Sequence, residues 1–315
     1  MATLETKQRG RRAHLAVVGD SQTNITTVSK QPAFPVNVIA VWGPAGSPGK
    51  STVAVNVASE LALQGERVLL IDLDTLAPSL ALSLGLVDTP AGLSACLRLA
   101  EQNRLSIDEY KRLTISIALG RNELSFMPGL SSAHRWPEVT PGRFEKLLAD
   151  LQGVIDHVVV DLPQATAFRS HLFHPSSMAT NDFNRDTLLR SVLSKAAKVI
   201  LVSGSDPVAA ARLLIAKEFL DDLEASIDPL LAVNRFRTTA LGSRAKDELE
   251  ETFLTLAGLR VDVFIPEDRE NLDRAMLNGL PLSLLKRSSP ARVAIAELAK
   301  QVSVGSISRR SVAKL

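Results

Sequence analysis

Short apolar runs alternate with longer stretches in which apolar residues recur every three to four positions, and the alternation continues from Val36 to Val302. The runs are Val38–Trp42, Val68–Ile71, Leu124–Met127, Val158–Val160, Val199–Val202, Leu230–Val233 and Val261–Ile265. Unbroken apolar runs of this length suit strands buried on both faces, as in a parallel sheet covered by helices. Between them, Val53, Val57, Ala58 and Leu61 fall at helical spacing, so that one face packs on a sheet, and Gly65 supplies a stop. Residues 76–112 read as helix and loop, Arg143–Leu151 is amphipathic, and a helix is expected from about Val208. Leu272–Leu277 and Ala291–Val302 have the 3.6-residue spacing of covering helices. The pattern predicts an α/β fold, a doubly wound and mostly parallel sheet flanked by helices, in a single domain over 36–302.

Three segments fall outside this rhythm. Residues 1–35 are polar and basic, with Leu15–Val18 as a short apolar patch and Pro32 and Pro35 at the close, and are expected to form a mobile arm. Residues 303–315 are expected to form a flexible tail, in which Val304, Ile307, Val312 and Leu315 offer too little apolar face for more than weak lipid contact. Residues 164–187 read as a polar, irregular, mobile segment. It holds His171 and His174, but no third ligand of matching spacing accompanies them, so a metal site is not expected there.

Composition narrows the class only slightly. With 315 residues, 45% of them hydrophobic, the chain has enough apolar side chain for a large core. Thirty-six Lys and Arg against 34 Asp and Glu do not establish a nucleic-acid partner. A single cysteine, Cys96, excludes an intrachain disulfide and a thiolate metal cage, and suits a reducing cytoplasm. No window approaches the roughly 20 apolar residues of a membrane span, and the basic N-terminus lacks the apolar core of a secretory signal, so a cytoplasmic protein is expected.

The chemistry sits at the first strand-to-helix junction. Val38–Trp42 runs into Gly43-Pro44-Ala45-Gly46-Ser47-Pro48-Gly49, and Lys50-Ser51-Thr52 then open a helix. Glycines let backbone N–H groups turn inward around a phosphate, the helix N-terminus adds a favourable dipole, and a lysine and a hydroxyl complete a magnesium–nucleotide site. Two further strands deliver carboxylates to the same sheet edge: Val68–Ile71 ends at Asp72-Leu73-Asp74, and Val158–Val160 ends at Asp161-Leu162-Pro163. Asp72 and Asp74 could also cap the following helix. A strand ending in Asp singles out nothing alone, but together with the glycine loop it has the form of a carboxylate behind the magnesium shell.

In these motifs the chain resembles the MinD/ParA family of P-loop ATPases. The matching residues are Gly46 and Gly49-Lys50-Ser51-Thr52, Asp72-Leu73-Asp74, Asp161-Leu162-Pro163, Asn234-Arg235, and Ile265-Pro266-Glu267-Asp268 with Ala275, Asn278-Gly279 and Pro281. Within the family it is most similar to CpaE-like, MinD-related ATPases of actinobacterial type, through the loop Gly43-Pro44-Ala45-Gly46-Ser47-Pro48-Gly49. The resemblance implies ATP and Mg²⁺ as ligands, with Lys50 on the β- and γ-phosphates, Ser51 on magnesium and Thr52 on the α-phosphate. It implies that Asp74 orients the attacking water, that Asp72 and Asp161 belong to the magnesium and switch shells, and that Asn234 and the backbone around Pro266, Glu267 and Asp268 hold adenine. It further implies an ATP-dependent homodimer and a protein partner in pilus assembly or septum placement.

One departure changes the expected rate. Family members usually carry a signature lysine four residues before the last loop glycine, and this chain has Ala45 there. A cationic finger is worth roughly 10³–10⁵ in phosphoryl transfer, so slow hydrolysis is expected unless another basic residue substitutes; Arg185, Arg190 and Lys195 are candidates by position. Two other functions fit the same motifs. One is a partition ATPase that binds DNA nonspecifically through Arg237, Arg244, Lys246, Lys286, Arg287 and Arg292, although Asp247, Glu248, Glu250 and Glu251 dilute that charge. The other is a nucleotide-binding scaffold that does not hydrolyse. Relatives that hold iron–sulfur clusters need paired cysteines, which are absent here.

Overall fold

The computed structural model describes residues 33–46, 48–165, 179–223, 227–237 and 244–310. Its centre is one eight-stranded sheet ordered β3-β4-β2-β5-β1-β6-β7-β8. The strands are β1 (Asn37–Trp42), β2 (Val68–Asp72), β3 (Ile115–Leu119), β4 (Asn122–Met127), β5 (His157–Asp161), β6 (Lys198–Ser203), β7 (Leu230–Phe236) and β8 (Val261–Pro266). Every neighbouring pair is parallel except the β3–β4 hairpin at one edge. The doubly wound α/β fold expected from the apolar runs is therefore present.

Chain order explains where the site lies. β1 sits between β5 and β6, so the connection leaving β1 passes over one half of the sheet and later connections return over the other. That reversal opens a crevice beyond the carboxyl ends of the strands. Register places Asp72 opposite Asp161 and Val41 opposite Asp161, so the acidic strand ends stand level with the start of the glycine loop.

Helices cover both faces: α1 (Lys50–Leu63), α2 (Leu80–Ser83), α3 (Gly92–Glu101), α4 (Ile107–Leu113), α5 (Pro141–Asp150), α6 (Ala179–Lys195), α7 (Pro207–Asp221), α8 (Ala245–Ala257), α9 (Arg269–Asn278), α10 (Leu282–Leu285) and α11 (Pro290–Arg310). On one face Leu97, Phe144, Val192 and Phe219 pack against Leu69, Val158 and Leu201. On the other, Val57, Leu61, Ile295 and Leu298 pack against Ile39, Leu70 and Val159.

The structure revises five expectations. β3 has no counterpart among the expected strands: its side chains alternate between exposed and half-buried until Leu119, the pattern of an edge strand, and a turn at Gly120 (φ 72°) joins it to β4. α1 is buried on every side over Val53–Ala62, because α11 and α10 lie on the face away from the sheet. Phe34 and Val36 are buried, Phe34 edge-on to Phe144 at 5.8 Å, so the packed chain begins before residue 36. Residues 179–187 belong to α6 rather than to an irregular segment, and α11 runs on to Arg310, past Val302. His171, His174, Ser47, the patch Leu15–Val18, most of the basic arm and residues 311–315 lie outside the described residues.

Candidate functional site: a phosphate loop backed by three carboxylates

Three observations define the loop. Gly46 and Gly49 have φ of 100° and 93°, left-handed values that side chains resist. A Cβ on Gly49 would lie 2.3 Å from Nδ2 of Asn234, so only glycine fits beneath that side chain. The N–H of Val53 donates to the carbonyl of Gly49 at 3.0 Å, so Lys50 begins α1 directly and the free N–H groups of its first turn point at the loop.

Lys50 and Ser51 project from that first turn toward the acidic strand ends. Ser51 Oγ donates to Oδ2 of Asp161 at 2.6 Å, and Ser79 Oγ lies 3.4 Å from Ser51 Oγ. Asp161 is 1% exposed, and among the described residues its Oδ1 has no hydrogen-bond partner. Burial pushes its carboxyl up to about 7; the Ser51 hydrogen bond and the Lys50 charge oppose this, while the negative charges of Asp72 and Asp74 add to it. Lys50 is lowered from the ordinary lysine value by burial, with Asp161 and Asp74 pulling it back. A hydroxyl, a buried carboxylate oxygen with no partner and a half-buried lysine together fit Mg²⁺ and a polyphosphate, since hard oxygen donors suit that cation.

Asp72 and Asp74 divide the remaining work. Oδ2 of Asp72 accepts the N–H groups of Ser79 and Leu80, both at 2.9 Å, and Oδ1 accepts that of Asp74 at 3.2 Å. This carboxylate therefore fixes the loop between β2 and α2, and burial raises it to about 6 despite those three donors. Asp74 Oδ1 accepts the N–H groups of Leu76 and Ala77, both at 2.9 Å, while its side chain stays half-exposed at the mouth of the site.

A cleft of about 360 Å³ opens on the β7–β8 side of the loop, lined among others by Gly49, Thr52, Asn234, Glu267 and Asp268. Of the residues that the resemblance assigns to adenine, the structure brings Asn234 of β7 together with Glu267 and Asp268 just after β8, beside the phosphate-loop residues Gly49 and Thr52. Two of their side chains are engaged with protein. Asn234 Nδ2 donates to the Pro48 carbonyl at 2.8 Å, fastening the loop to β7. Asp268 accepts from Asn271 at 2.6 Å and from Ser289 at 2.5 Å, joining α9 to the start of α11; burial would raise its pKa, but these bonds hold it below the ordinary value.

The three cations considered as replacements for a lysine at position 45 are committed elsewhere. Arg185 stacks on Trp136 at 5.1 Å, Arg190 on Phe219 at 4.5 Å, and Lys195 pairs with Glu145 at 2.6 Å. The residue that does lie on the loop is Arg212 of α7, whose Nη1 is 1.9 Å from where a Cβ of Gly46 would be. Sequence reasoning missed it because an arginine inside a helix carries no motif. It also missed Ser79, whose contact depends on how the loop after Asp74 folds back.

A glycine loop opening a helix at the switch point of a doubly wound sheet, with a lysine, a hydroxyl and a strand-end carboxylate converging on it, defines a P-loop nucleotide-binding protein. The chain belongs to the CobQ/CobB/MinD/ParA family of nucleotide-binding domains, whose model matches residues 39–282. Its fold is that of a ParA family ATPase from Chlorobium tepidum, with a TM-score of 0.68, 18% identity and coverage of 84% of this chain and 98% of that one. It is also similar to the septum site-determining protein MinD from Pyrococcus horikoshii, solved with Mg-ADP, at a TM-score of 0.60, 19% identity and coverage of 85% and 96%. In sequence it is 32% identical over 133 residues to an iron-sulfur cluster carrier protein of Haemophilus influenzae, covering 41% of this chain and 32% of that protein. The chain spans about a third of the length of the first curated relatives it matches. Cys96 is buried and its thiol is pushed up to about 12 by burial, which leaves no exposed thiolate for cluster chemistry.

Proposed function

We propose that this chain is an ATP-binding, slowly hydrolysing ATPase that works as a nucleotide-dependent dimerisation and positioning switch, of the CpaE-like subtype that serves pilus assembly or septum placement. The observation that carries the reading is the convergence of Lys50, Ser51 and Asp161 on a loop that only glycine can build at positions 46 and 49. Lys50, Thr52 and the loop N–H groups bind the phosphates, the cleft beside Asn234 receives the nucleoside end, and Ser51 with Asp161 behind it holds magnesium. The metal, when bound, neutralises phosphate charge and leaves the leaving oxygens easier to release. Asp74, half-exposed at the mouth, orients a water, and Ala45 provides no cation, so turnover is slow.

The partition reading loses part of its basic surface. Arg292 is tied to Glu60 at 2.7 Å, and Arg237 lies 3.6 Å from Glu267. The test of the central claim is equilibrium binding of labelled ATP and ADP with Mg²⁺ to the full chain and to Lys50→Ala. The intact chain retains nucleotide and the variant loses it; equal retention by both would sink the proposal.

A further inference from the structure

Four arginines gather beside the part of the phosphate loop that has no cation of its own. Ala45 and Gly46 form one wall of a hollow of about 250 Å³, and Arg212, Arg235, Arg237 and Arg269 line much of the remainder. Arg237 and Arg269 share a single carboxylate, Glu267, at 3.6 and 3.5 Å. Asp206, the other acid in the hollow, is occupied as the cap of α7, where it accepts the N–H of Ala209 at 2.9 Å. Four guanidiniums therefore face two carboxylates, and among the described residues neither Arg212 nor Arg235 has an ion-pair partner. A positive excess of this kind favours a polyanion.

Arg212 is the member set against the loop itself. Gly46 has φ of 100°, and a Cβ there would fall 1.9 Å from Nη1 of Arg212 and 3.0 Å from its Cζ, so the guanidinium occupies space that exists only because position 46 is glycine. Its helix is fixed at the N-terminus by the Asp206 cap and by Pro207, and Arg212 itself is exposed. Lys50 serves the other flank, where its neighbours are Asp161 and Asp74. The loop therefore has a cation on each side.

We infer that Arg212 is a terminal-phosphate-contacting residue, supplied by the same subunit from α7, which lets the site tell ATP from ADP. The inference rests on the nucleotide-binding reading above. Arginine suits the role because its planar, permanently charged fork bonds phosphate oxygens in pairs.

The experiment compares affinities for ATP and for ADP, each with Mg²⁺, in the full chain, Arg212→Ala, Arg212→Lys and Lys217→Ala. Lys217 is on the same helix but paired with Asp221, so its variant controls for lost charge. Arg212→Ala should weaken ATP about 10- to 100-fold, the loss of one hydrogen-bonded contact to a charged group, and leave ADP nearly unchanged. Arg212→Lys should recover part of the ATP preference, and Lys217→Ala should keep all of it. Equal weakening of ATP and ADP would make Arg212 a clamp on the loop and overturn the inference, as would no weakening at all. Failure of the nucleotide reading is distinct, because it shows as nucleotide retention that survives Lys50→Ala.

Discussion

Three carboxylates at the ends of two adjacent strands repel one another, and the site tolerates them by keeping a proton. Asp161 titrates near 7 and Asp72 near 6, chiefly because burial disfavours their charged forms. An unfolded chain releases these protons at about pH 4. Between that value and the folded ones the native state holds protons that the unfolded state lacks, so stability contributed by these groups is full at low pH and falls as pH rises. In the presence of a chelator the melting temperature should therefore drop from about pH 5.5 to about pH 7.5, and Asp161→Asn should flatten the slope. An unchanged slope in Asp161→Asn would show that this carboxyl is not the titrating group. Mg²⁺ with nucleotide favours the carboxylate, so its stabilising effect should be larger at the higher pH. The pattern of the sequence disclosed that Asp161 would stand at the sheet edge, since Val158–Val160 is buried on both faces. It could not disclose that Asp72 spends its oxygens on Ser79, Leu80 and Asp74, because those bonds depend on a loop whose path leaves no periodic trace. Arg212 stayed hidden for a related reason: its meaning comes from Gly46, which lies far from it along the chain.

At the level of elements, α1 shows what periodicity discloses and what it leaves out. The spacing of Val53, Val57 and Leu61 identified the face turned to the sheet, but Asn56, Ser59 and Glu60 are buried as well. Asn56 Oδ1 accepts the N–H of Leu282 at 2.8 Å, and Glu60 accepts from Nε of Arg292 at 2.7 Å and from Nη2 at 3.2 Å. These partners arrive from α10 and α11, Arg292 being 232 residues along from Glu60, and local spacing holds no record of so distant a neighbour. β3 escaped detection for the opposite reason, as an edge strand with Ser116 and Ala118 facing solvent needs no apolar run. The Glu60–Arg292 pair has side-chain exposures of 7% and 19%, so removing one partner leaves a buried charge. Arg292→Met should cost about 3–5 kcal/mol in denaturant unfolding, and pairing it with Glu60→Leu should recover much of that loss. Equal destabilisation by the single and the double variant would show that packing, rather than the uncompensated charge, sets the cost. This pair also fixes the back of α1, whose front turn carries Lys50 and Ser51, so nucleotide affinity should fall in Arg292→Met without any direct contact to the ligand.

For the whole molecule, the question is whether nucleotide state becomes association state. The acidic turn after β2 is the part best placed to report it. Asp72 holds its base through three N–H bonds, and Asp74 holds its tip through the N–H groups of Leu76 and Ala77, so a change at Asp74 is transmitted to the start of α2. If Asp74 positions the hydrolytic water, replacing it should leave ATP bound but uncleaved. Asp74→Asn is the informative variant, because its amide oxygen can still accept from the turn while the general-base character is lost. Light-scattering mass of this variant with ATP and Mg²⁺ should correspond to a dimer, and with ADP to a monomer, while the unaltered chain with ATP should decay from the first to the second as hydrolysis proceeds. A mass that ignores nucleotide in both proteins would favour a scaffold that binds ATP without switching. Retention on DNA that requires ATP and weakens steeply with salt would instead restore the partition reading, since phosphate contacts release counterions. The two outcomes separate because association through the nucleotide face needs no polyanion, whereas the DNA surface expected from the sequence keeps Arg244, Lys246, Lys286 and Arg287 exposed while Arg237 and Arg292 are tied to Glu267 and Glu60.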